Sequence, residues 1–248
     1  MSESKPLAGS VAVVTGASRG IGAALAVHLA QAGAHIVAVA RTVGGLEELD
    51  DKIKAAGSSA TLVPLDVKDS DGIARLALAL NERYQKLDVL VGNAGILGVL
   101  SPLDHVEPKA WDNLFAVNVT ANWQLIRTMD ALLKRSQAGR AVFISSGQSW
   151  SAKPYCGPYG ATKAALNSLA RTYANESASS HVRVNLFNPG PTATRMYKSG
   201  WPGVDQSTLP TPEAVAAAIV PLCLPSCTET AKMYDFRQGK FLDFHPPS

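Results

Sequence analysis

Short runs of consecutive apolar or β-branched residues alternate along the chain with longer stretches in which apolar positions recur every three or four residues. The runs cover 11–14, 35–40, 60–65, 87–92, 140–145 and 182–187. Apolar at nearly every position rather than at alternate ones, they predict strands of a parallel sheet buried on both faces. Between them, Leu25, Ala26 and Leu29 mark a helix over 23–32, Leu46, Leu49 and Ile53 a second, and Ile73, Leu76, Leu80 and Tyr84 a third. A long helix begins with the pattern Trp111, Leu114 and Phe115, and another runs over 159–174. The alternation predicts an α/β fold: a doubly wound, mainly parallel sheet flanked by helices on both faces, with ligands at the carboxyl ends of its strands.

The first strand enters the turn Thr15-Gly16-Ala17-Ser18-Arg19-Gly20-Ile21-Gly22, and a helix follows. Strand, glycine turn and helix together favour nucleotide binding. The glycines let backbone approach a pyrophosphate, and the free amides of the helix start attract its charge. A stretch rich in Pro and Gly at about 190–212 reads as a functional loop containing a helical piece. Over 232–244 the apolar residues alternate, which predicts a final strand and an edge hairpin.

A second signal lies in Tyr159-Gly-Ala-Thr-Lys163, where a four-residue spacing on a helix brings a phenol and an ammonium to one face. At an effective dielectric of about 20, a cation ~4 Å away favours the phenolate by roughly 4 kcal/mol, enough to pull a phenol from ~10 toward neutrality. Burial opposes this, so the figure is an upper bound.

Composition narrows the classes. With 248 residues, 46% hydrophobic and 17% charged, one domain spanning 1–248 suffices. A net charge of +3 with both signs dispersed gives no basic block for nucleic acid or a membrane surface. The polar start of the chain and a most-apolar stretch, 214–224, that is short and broken by Pro221 predict a cytoplasmic protein. Cys156, Cys223 and Cys227 form an odd set without CxxC, and the five histidines lack ligand spacing, so no metal site is expected.

The motifs now in hand occur in one order: the glycine turn, Asp66-Val67, Asn93-Ala94-Gly95, Asn118, Ser146, Tyr159 with Lys163, and Pro189-Gly190 with Thr192 and Thr194. In that order, over nearly the whole chain, the sequence resembles the compact, roughly 250-residue branch of the short-chain dehydrogenase/reductase family, close to its 3-oxoacyl reductases. The resemblance implies a Rossmann-type domain and a homodimer or homotetramer. It implies a catalytic set in which Tyr159 exchanges a proton with the substrate oxygen and Lys163 lowers the phenol's pKa and binds the nicotinamide ribose. Ser146 would hydrogen-bond the carbonyl oxygen, and Asn118 would hold a water joining Lys163 to solvent. For the cofactor it implies the turn residues Gly16, Ser18, Arg19, Gly20, Ile21 and Gly22, then Asp66 and Val67 around the adenine. Asn93, Ala94 and Gly95 would support the adenosine side, and Pro189, Gly190, Thr192 and Thr194 the nicotinamide half.

Cofactor choice follows from charge. The second strand ends Val39-Ala40-Arg41-Thr42, without the carboxylate that commonly binds the ribose hydroxyls of NAD, and Arg19 adds a cation. NADP(H) is favoured, with NAD(H) left open. The substrate is expected to be a small-molecule carbonyl or alcohol, 3-oxoacyl thioesters among them, approached by Leu97, Trp150, Tyr155, Met196, Tyr197 and Trp201. A non-catalytic NADP(H)-binding redox sensor would use the same fold, but the complete Asn118, Ser146, Tyr159 and Lys163 set argues for an enzyme. The sequence departs from the family pattern in two places: Gly92, where Asn is common before Asn93, and the segment 232–244.

Overall fold

Eight strands form one continuous sheet in the order β3-β2-β1-β4-β5-β6-β7-β8. In chain order they are β1 (Val11–Thr15), β2 (His35–Ala40), β3 (Ala60–Pro64), β4 (Val89–Gly92), β5 (Arg140–Ile144), β6 (Arg183–Asn188), β7 (Met233–Asp235) and β8 (Lys240–Leu242). Every neighbouring pair is parallel except β7 and β8, which form the antiparallel edge hairpin expected from the alternation over 232–244. The structure is a computed structural model that describes residues 5–244.

Successive residues of a strand point to opposite faces, and both faces are covered. In β1, Val11 and Val13 join one apolar cluster while Ala12 and Val14 join the other. The first cluster receives Ile73, Leu76 and Leu80 of α3 (Ser70–Tyr84), Leu125 and Met129 of α5 (Ala121–Arg135), and Leu166 and Ala170 of α7 (Gly157–Glu176). The second receives Leu25 and Leu29 of α1 (Gly20–Gln31), Leu46 and Ile53 of α2 (Val43–Ala55), and Ile219 of α9 (Pro212–Cys223). Burial on both sides is why the strands read as unbroken apolar runs.

Helix boundaries differ from the sequence expectation where glycines stand. The first helix begins at Gly20, three residues earlier than its apolar pattern, because the end of the glycine turn is already helical. The long helix from Trp111 is α4 (Pro108–Phe115) continued into α5 through a π-helical turn, Ala116–Thr120. Apolar periodicity cannot reveal a one-residue insertion of this kind, which preserves the helix direction while rotating one turn. Two short helices follow strand ends: α6 (Gln148–Ser151) after β5, and α8 (Arg195–Gly200) in the loop over 190–212, where the Thr194 hydroxyl caps α8 by accepting from Tyr197 N at 3.2 Å.

Gly92 has a packing explanation. A Cβ there would meet Asn122 Oδ1 and the Phe143 ring, both well inside contact distance, and Phe143 is fully buried on the adjacent strand. The departure from Asn is therefore built into how β4 and β5 pack. Gly92→Asn is expected to cost about 1–3 kcal/mol through overpacking. Urea unfolding checks this, and a loss below about 0.5 kcal/mol, the range of an ordinary surface change, would mean that the site has room.

Candidate active site

The carboxyl ends of β1, β4, β5 and β6 open into one cleft of about 1340 Å³. Its floor is made by two backbone turns fastened together by Thr15, the last residue of β1. The Thr15 hydroxyl accepts from the amides of Asn93 and Ala94, both at 3.0 Å, and donates to Val91 O at 3.1 Å. Asn93 returns the contact, its Nδ2 donating to Thr15 O at 2.8 Å and Gly16 O at 3.3 Å. Gly16 has φ +65, and a Cβ on it would lie 2.9 Å from Asn93 Nδ2, so the turns approach this closely only because the position is glycine. Thr15 was not singled out as a site residue from sequence, although a hydroxyl at a strand end just before a glycine turn is a legible signal.

Gly16, Ser18, Arg19, Gly20 and Ile21 line the cleft, as do Asn93, Ala94 and Gly95. Gly22 does not. It sits behind the turn, where a Cβ would collide with Asn93 Nδ2 and Gly16 O, so it serves the close packing of helix on turn rather than ligand contact.

On the side of β2 and β3 the cleft is lined by Arg41, Thr42, Asp66 and Val67. Arg41 Nη1 is 4.0 Å from Asp66 Oδ2, Lys68 Nζ stands at the same distance, and Arg41 is largely exposed. An exposed pair at that separation contributes little stability, which leaves Arg41 available to a stronger anion. The Thr42 hydroxyl reaches Ser18 Oγ at 3.5 Å, joining this wall to the glycine turn.

At the other end α7 presents Tyr159 and Lys163 one turn apart, with Lys163 Nζ 5.7 Å from the centroid of the Tyr159 ring. Lys163 is buried and donates to Ile144 O at 2.7 Å. Ser146 lies two residues beyond that carbonyl and lines the cleft with both of them. Asn118 does not line it. From the π-helical turn its Oδ1 accepts from Ile96 N at 2.9 Å, while its Nδ2 donates to Ile96 O at 2.9 Å and to Thr162 Oγ1 at 3.0 Å. Thr162 in turn donates to Tyr159 O at 2.7 Å. Both amide hydrogens of Asn118 are thus spent on protein, and the residue ties the π turn to the turn of α7 that carries Tyr159.

The acid/base expectation also needs correction. Burial pushes the Tyr159 phenol up to about 12, and the neighbouring Ser146 hydroxyl pulls it down by less. Burial lowers Lys163 to about 8. The burial expected to oppose the cation prevails: desolvation acts on both groups, and the ammonium is directed to Ile144 O.

Pro189, Gly190, Thr192 and Thr194 line the same cleft. Thr194 Cγ2 comes within 3.6 Å of where a Cβ of Gly20 would stand, so the segment before α8 closes over the glycine turn. Beyond it, Leu97, Trp150, Met196, Tyr197 and Trp201 line the outer wall, with Tyr197 and Trp201 stacked at 4.8 Å. Tyr155 is not part of that wall; it is exposed with φ +67, and its carbonyl accepts from Ser101 N at 3.1 Å. Lys153, Arg195 and Arg237 also line the cleft and were missed from sequence. For Arg237 the departure over 232–244 was the available signal.

Among the described residues no helix is long and apolar enough to cross a membrane, and no group of three His, Cys, Asp or Glu is placed to hold a metal ion. Residues 10–204 match the model of a family described as short chain dehydrogenase. The uncharacterized oxidoreductase YciK of Escherichia coli K12 is 32% identical, over 93% of this chain and 92% of its own length. A rhamnolipids biosynthesis 3-oxoacyl-[acyl-carrier-protein] reductase of Pseudomonas aeruginosa is 35% identical over 77% of this chain and 76% of its own. The crystal structure of a short chain dehydrogenase from Escherichia coli CFT073, complexed with NADPH, superposes with a TM-score of 0.87. It is 31% identical and covers 94% of this chain and 98% of that one.

Proposed function

The chain belongs to the short-chain dehydrogenase/reductase family, and from that premise we propose that it is an NADP(H)-dependent oxidoreductase interconverting a carbonyl and a secondary alcohol, with Tyr159 as general acid/base. The observation that carries this reading is the cleft itself. Tyr159, Ser146 and Lys163 line one end and Arg19 and Arg41 line the other, joined by a glycine turn that admits no side chain at Gly16.

The residues fit a nicotinamide dinucleotide. The turn over 16–21 and the start of α1 would receive the pyrophosphate, and Asp66 and Val67 would flank the adenine. Arg41 and Arg19, with the Ser18 and Thr42 hydroxyls, would meet a 2′-phosphate, while Thr192 and Lys163 would hold the nicotinamide half. When bound, the nicotinamide supplies or accepts hydride. This chain's part is proton transfer and orientation. The Tyr159 phenol donates its proton to the carbonyl oxygen during reduction and recovers it from the alcohol in reverse. Ser146 Oγ donates a hydrogen bond to the same oxygen where charge develops. Lys163 keeps a positive charge beneath the phenol, and Asn118, through Thr162, positions the helix turn carrying Tyr159. The apolar outer wall suits a carbonyl compound with an apolar or aromatic body. We include 3-oxoacyl thioesters, the group named for the Pseudomonas aeruginosa relative.

Tyr159→Phe is expected to lower turnover by about 10²–10⁴-fold while retaining NADPH binding; steady-state rates across ketones, aldehydes, quinones and 3-oxoacyl thioesters, with cofactor titration alongside, make the check. Unchanged turnover would remove Tyr159 from its role. Arg41→Asp should lower the ratio of NADPH to NADH efficiencies by about ten- to a hundredfold, the worth of one charge-assisted bond. An unaltered ratio would sink the assignment of Arg41. The pH dependence follows from two groups. The phenol, at about 12, stays loaded with its proton over the working range, whereas Lys163, lowered to about 8, loses its charge as pH rises through that value. Reductive kcat/KM for NADPH, which reports the free enzyme, should therefore fall on the alkaline side with an apparent pKa near that of Lys163; a profile level to pH of about 10, the unperturbed lysine range, contradicts it.

A further inference from the structure

The strand order places the turn between β7 and β8 beside the loop that follows β6, and this turn adds Arg237 and Gln238 to the cleft wall. The junction is built. Asn188 Nδ2, at the end of β6, donates to Asp235 Oδ2 at 2.7 Å with both residues buried, and Asp235 Oδ1 accepts from Gln238 N at 2.9 Å. Arg237 is seated on Gly190. A Cβ at that position would lie 3.1 Å from Arg237 Cδ and 3.2 Å from Cγ, and Gly190 has φ +63. Glycine here both permits the turn and leaves the surface on which the arginine stem lies.

Cations outnumber acids at this end of the cleft. Lys153, Arg195 and Arg237 line it, and among the described residues none has a carboxylate within 4.0 Å or a side-chain hydrogen bond. Asp235, the acid on that wall, has both oxygens engaged by Asn188 and Gln238. Unpaired cations of one sign in a concave, partly apolar site raise the local concentration of anions, and the guanidinium fork matches carboxylate and phosphate oxygens bidentately.

Resting on the proposed carbonyl chemistry, we propose that Arg237 is a specificity-determining residue that binds an anionic group, carboxylate or phosphate, on the substrate, with Lys153 adding to the field. The substrate class is then a carbonyl compound with an apolar body, received by Leu97, Trp150, Met196 and Trp201, and a negatively charged end.

The test uses matched aldehydes with NADPH: 4-carboxybenzaldehyde, its neutral methyl ester, and 4-formylphenyl phosphate. The wild-type protein is expected to favour one or both anions over the ester in kcat/KM by about tenfold or more, mainly through KM, and the better anion identifies the group. Arg237→Gln should bring that ratio toward one, and Arg237→Lys should keep part of it. NADPH affinity is measured on the same variants. A wild-type protein that turns over the ester as well as the anions overturns the inference while leaving the oxidoreductase reading standing. So does an Arg237→Gln protein that keeps the ratio but loses NADPH affinity, because the arginine would then serve the cofactor. If no aldehyde turns over, calorimetric binding of terephthalate and of its dimethyl ester to the protein with NADP+ reads the same site. Preference for the dianion that is lost in Arg237→Gln supports the assignment, and equal or absent binding of the two overturns it.

Discussion

A parallel sheet covered on both faces leaves polar groups almost nowhere to go except the strand ends, and the chemistry of this protein is arranged by that constraint. The middle of β1, β2, β4 and β5 is apolar, since a polar side chain there would be desolvated without a partner, and Asn185, buried inside β6, has its amide bonded to Glu229 O and Lys232 N. Buried polar groups gather at the two edges: Asp88, Ser136 and Arg140 are bonded at the amino edge, and at the carboxyl edge Thr15 ends β1, Asn188 ends β6, Asp235 ends β7, and Lys163 reaches the carbonyl that ends β5. Each is hydrogen-bonded to a neighbouring strand or turn. The bonds that satisfy the edge of the sheet therefore also fix the geometry of the cleft.

Much of this was legible in the chain. Strands buried on both faces announce themselves as apolar runs, and six of the eight were found within one or two residues of their ends; β7 and β8 emerged from alternation, as an edge hairpin should. Tyr159 and Lys163 were readable because helical spacing alone brings them together. What escaped depends on three dimensions. The π turn that carries Asn118 leaves no mark on periodicity, and Gly22 looks in sequence like its neighbours although it packs behind them. Burial was expected to oppose the cation's pull on the phenol, but that it outweighs that pull depends on how fully the fold encloses both partners. The departure over 232–244 marked the segment of Arg237 but not its place, because its neighbour Gly190 is distant along the chain and close only through the order of β6 and β7.

The cleft also divides electrostatically along its length. Near β2 and β3, Arg41 and Lys68 stand around Asp66, a loose exposed arrangement that another anion can enter. At the β5 to β7 end Lys153, Arg195 and Arg237 outnumber Asp235, whose oxygens are turned to Asn188 and Gln238, and the buried Lys163 is held by a backbone carbonyl rather than by an acid. Between them lies the glycine turn, which contributes backbone amides and, through Arg19, one further cation. Uniform overall charge thus conceals a cleft of marked polarity.

The pairing of β6 with β7 carries a consequence for the order in which the protein comes into being. The nucleotide floor, from the turn after β1 to Asn93 and Gly95, is complete within residues 11–95, while the wall bearing Arg237 belongs to the hairpin over 233–242. The amino-terminal part of a chain leaves the ribosome first. The nascent chain thus carries both turns of the cleft floor long before it carries the residues of the hairpin wall, and the cleft is closed on that side only once β7 has paired with β6.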